Sequence, residues 1–130
     1  MPFSANVTIT NTGKNTISNR LVANAAPVPK YIGIGTGATS AARGALPTDT
    51  ALSTEVETRA TGTQSIETQT TTGDTYTVVG TITASSTRAV DEAAIFDATS
   101  SGNTFVSATF NPVNLISGDS IQLTLKSKFQ

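Results

Sequence analysis

Ile121-Gln122-Leu123-Thr124-Leu125-Lys126 decides how the chain is read. Apolar and polar residues alternate strictly, which is the period of a strand with one face on a core and the other in water. Ser117-Gly118-Asp119 just before it is a turn signal. Upstream, Thr104 to Phe110 alternates again, with Ser107 and Thr109 between Phe105 and Phe110. Val90 to Asp97 brings Ile95 and Phe96 to a core, and Tyr76 to Ala84 offers Tyr76, Val78, Val79 and Ile82. Gly73-Asp74, Ser85-Ser86-Thr87, Ala98 to Asn103 and Asn111-Pro112 separate these runs as turns or bends. Strands recurring about every ten residues between turn signals point to a sandwich or barrel.

The N-terminal half is less regular. Tyr31-Ile32-Gly33-Ile34-Gly35 reads as a short buried strand, and Val56 to Thr72 as an extended, Thr-rich run. Thr36 to Asp49 is a loop expected to pack through Leu46 and Leu52. Asn15 to Ala25 is the one helix candidate: Ile17, Leu21 and Ala25 form a narrow apolar stripe, Asn15 or Thr16 caps the start, and Pro27 and Pro29 stop it. Ala5 to Thr10 alternates as a half-buried strand or an extended arm. Residues 1–13 are thus read either as an N-terminal arm that adds a strand to a neighbour or as an ordinary edge strand. No long helix alternates with strands, which argues against a doubly wound α/β fold. The expected fold is mainly β: an antiparallel β-sandwich, Greek-key or jelly-roll-like, with one short N-terminal helix, as a single domain over residues 1–130.

Composition agrees with that class. Thr is roughly a fifth of the 130 residues. It is β-branched, favours strands, and carries a hydroxyl suited to a wet sheet face. Only 13% of residues are charged and the net charge is −1. A surface covered by uncharged polar groups can lie against another protein at low desolvation cost. Leu, Ile, Val and Phe are 29 of the 130 residues, enough for a thin core that gains from a partner surface. Met1-Pro2-Phe3-Ser4 has no basic start followed by an apolar run, so no signal peptide is expected. No stretch has the ~18 apolar residues of a membrane span. Without Cys there are no disulfides, and synthesis in a cytoplasm is expected.

The chain has no His and no Cys, so the common nucleophile–base pairs and zinc sites cannot be assembled. A carboxylate pair for glycoside hydrolysis is chemically permitted. However, Asp49, Asp74, Asp97 and Asp119 read as turn residues, leaving Glu55, Glu57, Glu67, Asp91 and Glu92. Gly33, Gly35 and Gly37 are followed by Gly44 and Pro47 rather than a helix start. They therefore read as close backbone approach or positive φ, not as a phosphate loop. Asp91-Glu92 reads as a salt-bridge pair for Arg59 or Arg88, or as an exposed bulge, in preference to a calcium site. Lys126 and Lys128 guard an edge strand against wrong pairing, and Tyr31 and Tyr76 are core or interface anchors. No catalytic, cofactor-binding or metal-binding residue is expected, nor any cofactor.

The chain also resembles small virion structural proteins of tailed phages. The likeness is carried by Ile34-Gly35-Thr36-Gly37, by Leu52, Glu55 and Arg59, and by Glu92-Ala93-Ala94-Ile95-Phe96-Asp97. A Phe strand at Phe105 to Phe110, Gly118-Asp119 and the alternating final strand complete it, covering roughly four-fifths of the chain. The family pattern has Gly where this chain has Ala94. The resemblance implies a non-enzymatic capsid decoration (cement) protein on the outer capsid surface. Such a protein bridges major capsid subunits as a symmetric homo-oligomer, trimer before dimer, without nucleic acid or membrane partners. Repeated identical patches would add weak contacts through avidity. Similar modules occur in tail fibres and baseplates, so binding a host surface is the alternative. The presence of only two Tyr and no Trp speaks against a glycan-stacking site.

Overall fold

The computed structural model describes residues 5–23, 26–37 and 44–129. Its elements are β1 (Ala5–Ile9), α1 (Asn11–Leu21), β2 (Tyr31–Gly35), β3 (Glu55–Thr61), β4 (Thr63–Glu67), β5 (Thr75–Thr83), β6 (Arg88–Phe96), β7 (Thr104–Leu115) and β8 (Ser120–Lys128). They form two antiparallel sheets, one of five strands in the order β1-β7-β6-β2-β3 and one of three in the order β4-β5-β8. The fold is thus mainly β, two sheets face to face with one short helix, as the alternation and turn spacing predict. Ile32, Ile34, Val90, Ile95 and Val106 of the larger sheet meet Val78, Ile82 and Leu125 of the smaller in one core. The deciding stretch behaves as its period requires. Leu125 is buried and Ile121 and Leu123 are half-buried, whereas Gln122, Thr124 and Lys126 face out. β8 pairs with β5 from Thr75↔Lys128 to Thr83↔Ser120 and is an edge of its sheet, where its two lysines were expected.

Several boundaries differ from the sequence reading, each for a visible reason. The extended run from Val56 is two strands in two sheets, changing sheet at Gly62. The Gly62 N–H donates to the Lys30 carbonyl at 2.7 Å, and a Cβ there would strike Val78. Asn111-Pro112 does not end a strand. β7 runs through it, because the β6–β7 register slips between Val90 and Glu92 and a bulge has no use for a proline N–H.

The helix starts and stops four residues earlier than its apolar stripe suggests at the N-terminus and at the C-terminus alike. Its cap is Thr10, whose buried Oγ1 accepts the Gly13 N–H at 3.0 Å and donates to the Thr104 carbonyl at 2.7 Å. It ends at Val22, with Ala23 at φ 61, before the prolines are reached. Ala25 lies outside the described residues.

Of the two readings of the N-terminal segment, the described part follows the second. β1 is an edge strand of the chain's own sheet, pairing with β7 from Ala5↔Phe110 to Ile9↔Val106, and Asn11 to Gly13 belong to the helix. Met1 to Ser4 lie outside the described residues. In the loop before β3, Leu52 is buried as expected but Leu46 is exposed. Asp49 closes a turn on Leu46, its N–H to the Leu46 carbonyl and its carboxylate to the Leu46 N–H, which tips that side chain outward. Thr is not confined to wet faces either: Thr10, Thr75, Thr77, Thr104 and Thr109 are buried.

Candidate interaction surfaces

Leu52, Glu55, Arg59 and Phe96 are far apart in sequence and come together on the larger sheet. Arg59 on β3 is their centre. Its guanidinium lies 3.4 Å from the Phe96 ring centroid. Nε and one terminal nitrogen hold the two oxygens of Glu55 at 2.7 and 2.9 Å. The other terminal nitrogen donates to the carbonyls of Ala98 and Ser101 at 2.9 and 2.7 Å. The side chain is only 6% exposed. Leu52 packs beside it on Ala94 and Phe96, with Tyr31 at the margin. Asp97 closes the β6–β7 turn by accepting the Asn103 backbone and side-chain N–H groups. Four donors of the planar fork go to a carboxylate and two carbonyls, and its face lies on a ring, so this pole is a clamp that ties β3 to the β6–β7 hairpin.

Glu92 is fully buried and accepts the Thr54 N–H at 3.0 Å. A Cβ on Gly35 would collide with that carboxylate, so close approach, not positive φ, is the reason for the glycines at 33 and 35. The expectation that Arg59 or Arg88 would pair with Asp91-Glu92 is corrected. Arg59 pairs with Glu55, and Arg88 with Glu57 at 3.0 Å. Asp91 does sit at the β6–β7 bulge, yet buried rather than exposed. Glu57 adopts φ 63, a left-handed backbone that swings its carboxylate across to Arg88 and Ser85. The Arg88 hydrogen bond, then those from Ser85, hold its carboxyl below the ordinary range.

The turn aspartates are structural as read. Asp74 accepts the N–H groups of Gln69, Thr70 and Thr71, each at 2.9 Å. The backbone donors, Thr71 first, push its carboxyl far below its ordinary value. Asp119 accepts the Ile116 N–H at 3.0 Å. Among the described residues no three acidic side chains gather in a way that could hold a metal ion.

Two of the surfaces left to meet something else are apolar, and residue-type motifs do not reveal them. One is a groove of about 260 Å³ at the open side of the sandwich, where β1 and β7 face β8, lined by Val7, Phe110, Val113, Ile121 and Leu123. The other is a basin of about 320 Å³ between α1, the β4–β5 hairpin and the chain's C-terminal end. Its floor is Tyr76 and Phe105, packed edge to face at 5.7 Å, with the Tyr76 hydroxyl donating to the Pro29 carbonyl at 2.7 Å. Burial raises the Tyr76 phenol, against the opposing charge of Arg20. Its wall is Leu21, Ile66 and Phe129, which are 82%, 76% and 41% exposed. Large apolar side chains gathered in the open mark an interaction site. Tyr76 is half-buried and packs against the core while lining this basin, so both readings of it, core or interface anchor, stay open by position.

A third hollow, of about 440 Å³, is polar and lined by Asn15, Asn19, Asp97 and Asn103 among others. No protein-family model, curated protein or solved structure matches the chain.

Proposed function

We propose that the protein is a non-enzymatic component of a tailed-phage virion that decorates the capsid from outside and stabilises it by bridging major capsid subunits. The observation that supports this most is the division of labour on the surface. The acids and arginines of the family-like motif are consumed in clamps and turn locks, while large apolar side chains are left in the open around Tyr76. Such a body has surfaces for protein partners and few free polar groups for chemistry. Low charge keeps the cost of covering those surfaces small. A rigid sandwich lets repeated contacts add on a symmetric shell.

Cryo-microscopy of intact particles tests the reading: density for this chain at regular outer positions of the head is expected, and its confinement to the tail would overturn it. Assembly in the host cytoplasm and a location on the outer capsid are parts of the same proposal.

The polar hollow by Asn15, Asn19 and Asn103 favours a second reading, a tail-fibre or baseplate module that binds a host glycan. It has amide and hydroxyl groups for sugar hydroxyls but no aromatic platform. A glycan array with the purified chain separates the two, since only this second reading expects a hit that Asn15→Ala removes.

A further inference from the structure

The basin has a complement on the same chain, at the far end of β8. The β7–β8 turn carries Ile116, 64% exposed, and next to it the Asp119 carboxylate. The turn is held stiffly. The Gly118 N–H donates to the Ala84 carbonyl, the Ala84 N–H to the Asp119 carbonyl, and the Ser117 hydroxyl to the Ser85 carbonyl. The basin offers the reverse: an apolar recess, with Arg20 exposed on its rim and making no ion pair with a described residue. Asp119 is exposed and gives one oxygen to the Ile116 N–H. Nine residues of β8 separate the two features, about 27 Å at strand rise. One chain therefore cannot join its own turn to its own basin.

We infer that copies of this chain associate head to tail, with Ile116 of one copy seated among Leu21, Ile66 and Phe129 of the next and Asp119 set against Arg20. The contact joins two different patches. It is therefore heterologous, and it closes into a ring when the rotation allows. A trimer is the small ring that the reading above favours. The inference deepens the oligomer part of that reading and does not need its shell part.

A mixing experiment tests it. Light scattering on the purified full chain is expected to give a closed oligomer. Ile116→Glu removes the plug and Ile66→Glu spoils the basin. Both residues are exposed, and each variant alone should be monomeric with an unchanged circular dichroism spectrum. An equimolar mixture keeps one good plug and one good basin, and should give a 1:1 dimer and nothing larger. Arg20→Glu should weaken the wild-type oligomer by at least about tenfold at low salt, and Arg20→Lys should restore it. A monomeric wild type, an oligomer surviving in Ile116→Glu or Ile66→Glu alone, an Arg20→Glu oligomer as tight as wild type at low salt, or a mixture that stays monomeric would each overturn the inference. Binding of the same variants to purified heads is scored separately. Loss of head binding without loss of the oligomer indicts the shell protein as the basin's occupant and refutes the inference alone.

Discussion

The Arg59 pole and the Tyr76 basin sit on one small body and are built in opposite ways. At the first, charges and polar groups satisfy one another: Arg59 is enclosed by Glu55, two carbonyls and Phe96. At the second, Leu21, Ile66 and Phe129 stand in water around a half-buried tyrosine. A polar cluster that catches the eye in a sequence is here the part with least left to bind. The apolar side chains that no motif singles out are the ones with free energy still to release on contact.

Breaking the clamp should cost the most stability and the least association. Arg59→Ala strips Glu55 of its partner, uncovers Phe96 and leaves two carbonyls without a donor. Unfolding in denaturant should show a loss of about 3 kcal/mol, while the oligomer formed by the remaining folded fraction keeps its size. Gly35→Ala comes next: the added Cβ meets the buried Glu92 carboxylate and the Thr54 carbonyl, an overpacking worth about 2 kcal/mol in the same assay.

The Asp74 lock sharpens the comparison from the basin side, because the Asp74 carbonyl accepts the Phe129 N–H at 2.9 Å and so anchors one wall. The folded-state pKa of its carboxyl lies below its ordinary value of 3.8. Its contribution is therefore complete above about pH 4 and is lost as pH falls through the depressed folded value. Asp74→Asn should lower the neutral-pH melting temperature and flatten the acid limb of the stability–pH curve. A parallel curve for wild type and variant would contradict the lock. Smallest of all is Ile66→Glu, expected within about 0.5 kcal/mol of wild type in stability. A large loss there would mean that the basin belongs to the core and that the two poles do not differ.

Legibility followed range. β2 was readable to the residue because Tyr31 to Gly35 is a short apolar run between breakers, and β8 because its alternation is unbroken. The helix was displaced, since its stripe of Ile17 and Leu21 suggested a buried face that the tertiary packing left half open. Leu21 faces water, and the start was set by Thr10, whose hydroxyl also bonds across the fold to Thr104. Asp74, Asp97 and Asp119 were legible as turn locks because their partners lie within a few residues. The burial of Asp91 and Glu92 is not legible in the sequence because what surrounds them comes from distant strands. The basin was not legible at all: α1, β4, β5 and Phe129 are brought together by chain reversals tens of residues apart.

The sequence alone therefore determined the fold class of the protein, with its alternating strands and their turns. Those depend on interactions within a few residues, and a two-residue period declares which side of a strand is apolar. Only the tertiary structure decided which arginine meets which glutamate and which apolar side chains stay uncovered. Burial and pairing belong to neighbours in space, and those neighbours come from the sheet order.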